Sequence, residues 1–186
     1  MKTRKLAMTS VMAALMCLAG MLLHWVSPAL VPFSVLPVLV LMSGIILGAE
    51  YASMAMLVYL VLGLFGLPVL SSAPFGGLGY ILKPTFGFLL GYVAAAYVVG
   101  KVYREGSLPR AIVGVLAGLV TLYLFGLSYL YIILHWVLHR PTSVAGVMMI
   151  GFVPFILGDL IKAGIAVWVG QEVVRRHKAP PKGSLT

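Results

Sequence analysis

Asp159 and Lys162 stand three residues apart inside the apolar run Val153-Pro154-Phe155-Ile156-Leu157-Gly158-Asp159-Leu160-Ile161-Lys162-Ala163-Gly164-Ile165-Ala166-Val167. Three residues is about 300° of helical turn, so both side chains share one face. At bilayer depth each charge is expensive unless it is paired or solvated in a cavity. Their face must therefore look into protein or a polar pocket. One reading is an ion pair that neutralises itself. The sharper one is the polar anchor of a ligand site, since an ionisable residue inside a membrane segment points to function. Pro154 lies five residues earlier, with Gly151 and Gly158 nearby. A proline inside a membrane helix frees a carbonyl and kinks the helix. If the span begins near Val147, Asp159 lies about 18 Å along it at about 1.5 Å per residue.

A second chemical element runs from Gly66 to Thr85, Gly66-Leu67-Pro68-Val69-Leu70-Ser71-Ser72-Ala73-Pro74-Phe75-Gly76-Gly77-Leu78-Gly79-Tyr80-Ile81-Leu82-Lys83-Pro84-Thr85. Its prolines and glycines break any helix. It stays moderately apolar, so it reads as packed at the membrane face. Gly76 and Gly77 let the backbone approach a ligand closely, and the segment ends in Tyr80, Lys83 and Thr85. It reads as the lid or wall of a binding site.

His135 and His139 have i, i+4 spacing, which suits a metal or haem, and His24 is expected at the same membrane face. Histidines beside Trp25 and Trp136 are also ordinary interface residues. Other chemistry is poorly supported. There is no Gly-x-x-x-x-Gly-Lys-Ser/Thr phosphate loop. Only four acidic residues exist, too few for a carboxylate metal centre. No paired carboxylates and no Ser/His/Asp set are evident, so no catalytic residue, metal ligand or cofactor is assigned.

The elements that must position these residues are membrane helices. The chain has 186 residues, 62% hydrophobic and 9% charged, with a mean hydropathy of +1.11. A soluble domain is nearer half apolar and a quarter charged. This length allows about six spans of roughly 20 residues in a single membrane-embedded domain over residues 1–186. Six apolar stretches are expected: Leu6–Val26, Val35–Gly48, Ala52–Leu67, Pro84–Gly100, Ala111–Val137 and Val147–Val174. The second and third are joined only by Ala49-Glu50-Tyr51 and read as a tight hairpin. Met1-Lys2-Thr3-Arg4-Lys5 resembles the charged start of a signal peptide, but the following apolar run is too long and lacks a cleavage site. It reads as a retained first span. No internal repeat is visible.

The net charge of +9 reads as topology rather than nucleic-acid binding. Lys2, Arg4, Lys5, Lys101, Arg104, Arg110, Arg175, Arg176, Lys178 and Lys182 fall on one side, and Lys83 and Arg140 on the other. The positive-inside rule then places both termini in the cytoplasm, with Ser27–Ser34, Pro68–Lys83 and Leu138–Gly146 outside. The lone Cys17 excludes an intramolecular disulfide. Gly44/Gly48, Gly87/Gly91 and Gly114/Gly118 match a spacing that lets helix backbones approach. Thr9/Ala13/Cys17 and Ser10/Ala14 make a similar small face on the first span, expected either to pack within the chain or to dock another subunit.

Several runs together resemble one family. Leu62-Gly63-Leu64-Phe65-Gly66-Leu67-Pro68-Val69, Gly76-Gly77-Leu78-Gly79-Tyr80, Lys83-Pro84-Thr85-Phe86-Gly87-Phe88 and Gly158-Asp159-Leu160-Ile161-Lys162-Ala163 look like the biotin-specific substrate-capture subunits of energy-coupling factor transporters, the BioY family. Val31-Pro32-Phe33-Ser34 fits too. The resemblance implies a prokaryotic, plasma-membrane, six-helix protein that binds biotin from outside. It also implies a shared transmembrane coupling subunit and two cytoplasmic ATPases as partners. It carries a ligand role to Asp159 and Lys162. Biotin offers two ureido N–H donors, a carbonyl, an apolar thioether ring and a carboxylate tail. Asp159 suits the N–H groups, and Lys162 the carbonyl or the tail. Lys83, Tyr80 or Thr85 would hold the tail at the outer mouth, and Phe75 and Tyr80 would cover the rings. The pocket is expected to be hydrated when empty. Docking to the coupling subunit is expected on Thr9, Ser10, Ala13, Ala14 and Cys17. The alternatives are capture of another vitamin, such as thiamine or riboflavin, and a haem- or metal-binding membrane protein using His24, His135 and His139. A pore is disfavoured, because an ion filter normally uses a ring of one sign.

Overall fold

The computed structural model of the chain describes residues 2–23 and 34–178. Every regular element among them is helical: α1 Lys2–Leu22, α2 Leu36–Leu47, α3 Ala49–Leu64, a 3-10 helix Leu78–Leu82, α4 Phe86–Val102, α5 Leu108–Ile132, α6 Val144–Gly151 and α7 Val153–Lys178. A π-helical turn, Ile133–Val137, extends α5. Thr3–Leu22, Leu108–Val137 and Val153–Arg176 are long and apolar enough to cross a bilayer, and α2, α3 and α4 are shorter apolar helices. His24, Trp25, the Val31-Pro32-Phe33 run, most of the expected Ser27–Ser34 loop and Lys182 lie outside the described residues.

Small residues govern how the helices meet. The α2–α3 hairpin turns on Gly48 alone, at φ 79°, with its N–H bonded to the Gly44 carbonyl at 3.1 Å. That left-handed conformation favours glycine. Ala49-Glu50-Tyr51, expected as the connection, instead form the first turn of α3. Helix α4 lies centrally, packed on α5, α3 and α2. A Cβ on Gly91 would sit 2.9 Å from the Leu122 carbonyl oxygen of α5, and one on Gly44 would sit 2.6 Å from Val99 Cβ of α4. Gly87 faces Tyr129 and Phe125, and Gly118 faces Val99 and Leu41. Most of the expected glycine spacings thus mark close helix crossings, as they should where lipid provides no hydrophobic drive for helices to associate.

Helix α1 packs on α3 and α2, while α7 packs on α2 and α5. One core joins Met16, Val40, Met56, Tyr59, Leu70 and Tyr80. A second joins Leu41, Ile45, Val99, Val115 and Ala166 beneath α7. Arg4 and Lys5 of α1, Gly48, Gly100 of α4, Glu105 and Val174 of α7 line one cavity of about 440 Å³. The beginning of α1 and the end of α7 therefore share one end of the bundle with the α2–α3 turn and the α4–α5 link. The 65–85 segment occupies the opposite end, where Gly20 of α1 meets Val69.

The last apolar stretch differs from expectation. It is two helices, broken at Phe152 (φ −120°, ψ −58°). Pro154 is not an interior kink but stands in the first turn of α7. There its missing N–H forfeits no helical bond and its ring meets no carbonyl of a preceding turn. Asp159 is consequently six residues into α7, about 9 Å from the helix start at about 1.5 Å per residue, rather than twice as deep.

Candidate functional site

Asp159 and Lys162, one turn apart on α7, both face the protein interior, with exposures of 5% and 9%. Lys162 Nζ donates to Asp159 Oδ1 at 2.8 Å. The Tyr123 hydroxyl of α5 donates to Asp159 Oδ2 at 2.6 Å. One carboxylate oxygen is thus held by a cation and the other by a neutral donor from a neighbouring helix. Burial of the charge is compensated in the way low-dielectric surroundings demand. Tyr123 is itself fixed edge-on by Phe88 of α4, with ring centroids 6.2 Å apart, and by Phe152, at 4.9 Å. The break before α7 therefore puts the Phe152 ring against the residue that orients Asp159. Tyr92 of α4 is buried in the same core as Tyr59 and Tyr80.

The glycine- and proline-rich segment is anchored rather than loose. Gly77 N–H donates to the Gly63 carbonyl at 2.7 Å, Leu70 N–H to Phe75 O at 2.9 Å, and Phe75 N–H to Ser72 O at 2.8 Å. Phe75 and Gly77 both have positive φ, 65° and 92°. A Cβ on Gly76 would strike the Leu67 and Gly63 carbonyls. Tyr59 of α3 donates to Val69 O at 3.2 Å, and Tyr129 of α5 to Ile81 O at 2.6 Å, so hydrogen bonds from two helices hold the segment in place. Tyr80 is buried, with its hydroxyl 2.8 Å from Ser72 Oγ. Lys83 Nζ donates to the Ala73 carbonyl, lies 3.4 Å from Ser72 Oγ and stands 5.5 Å from the centroid of the Tyr80 ring. Phe75, Gly76 and Gly77 are half-buried, and Thr85 is exposed just before α4.

The expected site residues thus form two clusters, Asp159–Lys162 between α5 and α7 and Tyr80–Lys83 with the glycine segment. Tyr123 at the first and Tyr59 at the second were absent from the expectation, as was Tyr92 in the core with Tyr59 and Tyr80. Ser72 and Tyr129 were also missed. Tyrosines in apolar runs give a weak signal in sequence, because they serve equally as core and interface residues.

The small face of α1 does not present as one surface. Thr9 and Ala13 are buried within the chain, at 4% exposure each, and Cys17 packs against the same core. Ser10 and Ala14 are exposed. Small residues were needed first to bring α1 onto its own neighbours. The histidine pair, weighed only as an alternative metal or haem site, is split between two local structures. His135 lies in the π-helical turn, stacked on Tyr131 at 5.6 Å, whereas His139 is beyond it at φ 49°. No group of three or more His, Cys, Asp or Glu side chains gathers among the described residues, and His24 lies outside them.

The sequence profile of the BioY family matches residues 1–179. A biotin transporter BioY of Rhizobium etli is 33% identical over 193 residues, covering 94% of this chain and 95% of that protein. A probable biotin transporter BioY of Lysinibacillus sphaericus is 37% identical over 137 residues, covering 72% and 69% of the two chains. The crystal structure of the S-component for biotin from an ECF-type ABC transporter shares the fold, with a TM-score of 0.76 over 94% of this chain and 92% of that one at 22% identity.

Proposed function

The chain belongs to the BioY family, and from that membership we infer that it is the membrane subunit that captures biotin for an energy-coupling factor transporter. The observation that carries the site assignment is the buried Asp159 carboxylate, bonded to Lys162 and Tyr123. Each carboxylate oxygen retains a second lone pair, so a ureido N–H of biotin can be accepted without breaking the existing bonds. Lys162 supplies a donor for the ureido carbonyl. The Lys83 ammonium, beside Tyr80 and Ser72, suits the carboxylate tail at the mouth, with Thr85 adjacent. Phe75, Gly76 and Gly77 form the wall over the apolar rings. A largely apolar cleft with a few fixed polar groups is the ordinary form of a small-molecule site.

In this reading α1 to α5 and α7 make six passes of the plasma membrane, and the outer loop lies between the third and fourth. The end holding Arg4, Lys5, Lys101, Arg104, Arg110 and Arg175 faces the cytoplasm by the positive-inside rule. Biotin enters from the opposite side. The chain performs no covalent chemistry; a transmembrane coupling subunit and two ATPases supply the energy. Ser10 and Ala14 on the outward side of α1 dock the coupling subunit.

Equilibrium binding of biotin to the purified protein in detergent, with thiamine and riboflavin as controls, tests this reading. One saturable, biotin-selective site is expected, weakened about tenfold or more by Asp159→Asn and by Lys162→Ala, the scale of charge-assisted hydrogen bonds. Absence of biotin binding by the folded protein would remove the substrate. Unchanged affinity in both variants would reduce the pair to a structural role.

A further inference from the structure

A groove of about 1000 Å³ runs along α7 on the side facing α5, lined by α7 residues from Leu160 to Arg175. Fifteen residues of helix is about 22 Å at about 1.5 Å per residue, which equals half the full thickness of a bilayer, roughly 40–45 Å with its headgroups. The lining is graded along that length. Leu160, Ala163, Gly164, Val167 and Trp168 form the apolar part. Gln171, Glu172, Arg175 and, from the α4–α5 link, Glu105 are confined to the end of the bundle that holds the start of α1 and the end of α7. A Cβ on Gly164 would meet nothing within 4 Å, so the groove is open there, and Trp168 flanks it at 73% exposure. Gln171 Nε2 is buried and has no hydrogen-bond partner among the described residues. A buried amide donor left in this state is costly, and it lies where the groove passes from apolar to charged.

We propose that this groove is a binding site for one phospholipid with a primary-amine headgroup, of the phosphatidylethanolamine class, in the leaflet on the side of the start of α1 and the end of α7. An acyl chain lies along Leu160, Gly164 and Trp168. The phosphodiester oxygens accept from the Gln171 amide and the Arg175 guanidinium. Glu172 is bonded to Arg175 at 3.0 Å and to Arg176 at 2.7 Å; with lipid bound Arg175 turns to the phosphate, Arg176 stays on Glu172, and the ammonium donates to the carboxylates of Glu105 and Glu172. The mixed charge of the rim selects this headgroup. A purely anionic lipid would meet two carboxylates, and a quaternary ammonium has no N–H to donate to them. Basic pockets between membrane helices hold anionic headgroups; two carboxylates beside two arginines balance the rim and shift the match to a zwitterion. The site is separate from the biotin cluster and stands whether or not biotin is the substrate.

Native mass spectrometry of the full chain, delipidated and then titrated with phosphatidylethanolamine, phosphatidylglycerol or phosphatidylcholine, provides the test. One phosphatidylethanolamine per chain is expected to survive gas-phase release of detergent, with the other two lipids at least about fivefold weaker. Gln171→Leu, which keeps the side-chain bulk, should weaken retention about tenfold or more, the worth of one hydrogen bond to a charged group. Gly164→Trp should fill the groove and abolish retention while the variant keeps its thermal unfolding midpoint. Equal retention of all three lipids, preference for phosphatidylglycerol, or undiminished retention in both variants would overturn the proposal.

Discussion

Tyr123 is the residue whose role only three dimensions disclose. Its hydroxyl holds Asp159 Oδ2 across 36 positions of sequence, and nothing in the run Leu122-Tyr123-Leu124 marks it out. The Asp159–Lys162 pair, by contrast, is legible at once, because three-residue spacing on a helix forces both charges onto one face. Tyr123→Phe keeps the ring between Phe88 and Phe152 and deletes only the donor. Biotin affinity is expected to fall about three- to tenfold, part of the worth of one bond to a charged acceptor because Lys162 still holds the carboxylate, and isothermal titration or filter binding would read it. An unchanged affinity would show that Lys162 alone orients the carboxylate. The ion pair also predicts a stability pattern. Lys162→Met leaves a buried carboxylate without its cation and should destabilise the protein by about 3–5 kcal/mol, whereas a double change that also removes the charge should recover much of the loss. Thermal unfolding in detergent of Lys162→Met beside Lys162→Met with Asp159→Asn decides it. Equal destabilisation of the two would mean that the pair's charge balance is not what stabilises the fold.

At the scale of elements, the 65–85 segment behaves as a fixed wall because several helices hold it. Gly20 of α1, Tyr59 and Gly63 of α3, and Tyr129 of α5 all meet it. Its glycines are therefore unequal. Gly76 has carbonyls where a Cβ would go, while Gly79 has nothing within 4 Å. Gly76→Ala should shift the wall and weaken biotin binding several-fold, and Gly79→Ala should leave affinity within about twofold. Titration of the two variants side by side distinguishes a rigid wall from a loose connector, which would tolerate both alike. The helix-breaking character of the segment is plain from its composition; its anchoring partners are not, since they come from three other helices. The break before α7 is half legible for a related reason. Pro154 announces a disruption, but whether the helix bends through it or restarts beneath it depends on the packing of Phe152 against Tyr123, a contact between distant parts of the chain.

For the whole molecule, the division of α1 limits which surface can meet the proposed coupling subunit. Thr9 and Ala13 are consumed by the chain's own core, so the small-residue spacing that suggests docking is partly spent on internal packing. Spacing along a helix fixes which residues share a face but not whether that face turns in or out, because small residues serve both purposes. What remains outward is Ser10 and Ala14, flanked by Val11, Leu15 and Leu18 at 60%, 41% and 56% exposure. That strip is apolar enough to sit in lipid when the subunit is alone and smooth enough for another helix to approach closely. The two alanines should then separate assembly from folding. Ala14→Trp adds bulk outside and is expected to abolish biotin uptake in cells carrying the complete transporter, while the purified subunit binds biotin with unchanged affinity. Ala13→Trp adds the same bulk inside, overfills the core between α1 and its neighbours, and should lower the thermal midpoint and biotin binding together. If Ala14→Trp transports normally, the coupling subunit docks elsewhere, and the exposed face of α7 around Leu157, Ile161 and Trp168 becomes the next surface to substitute.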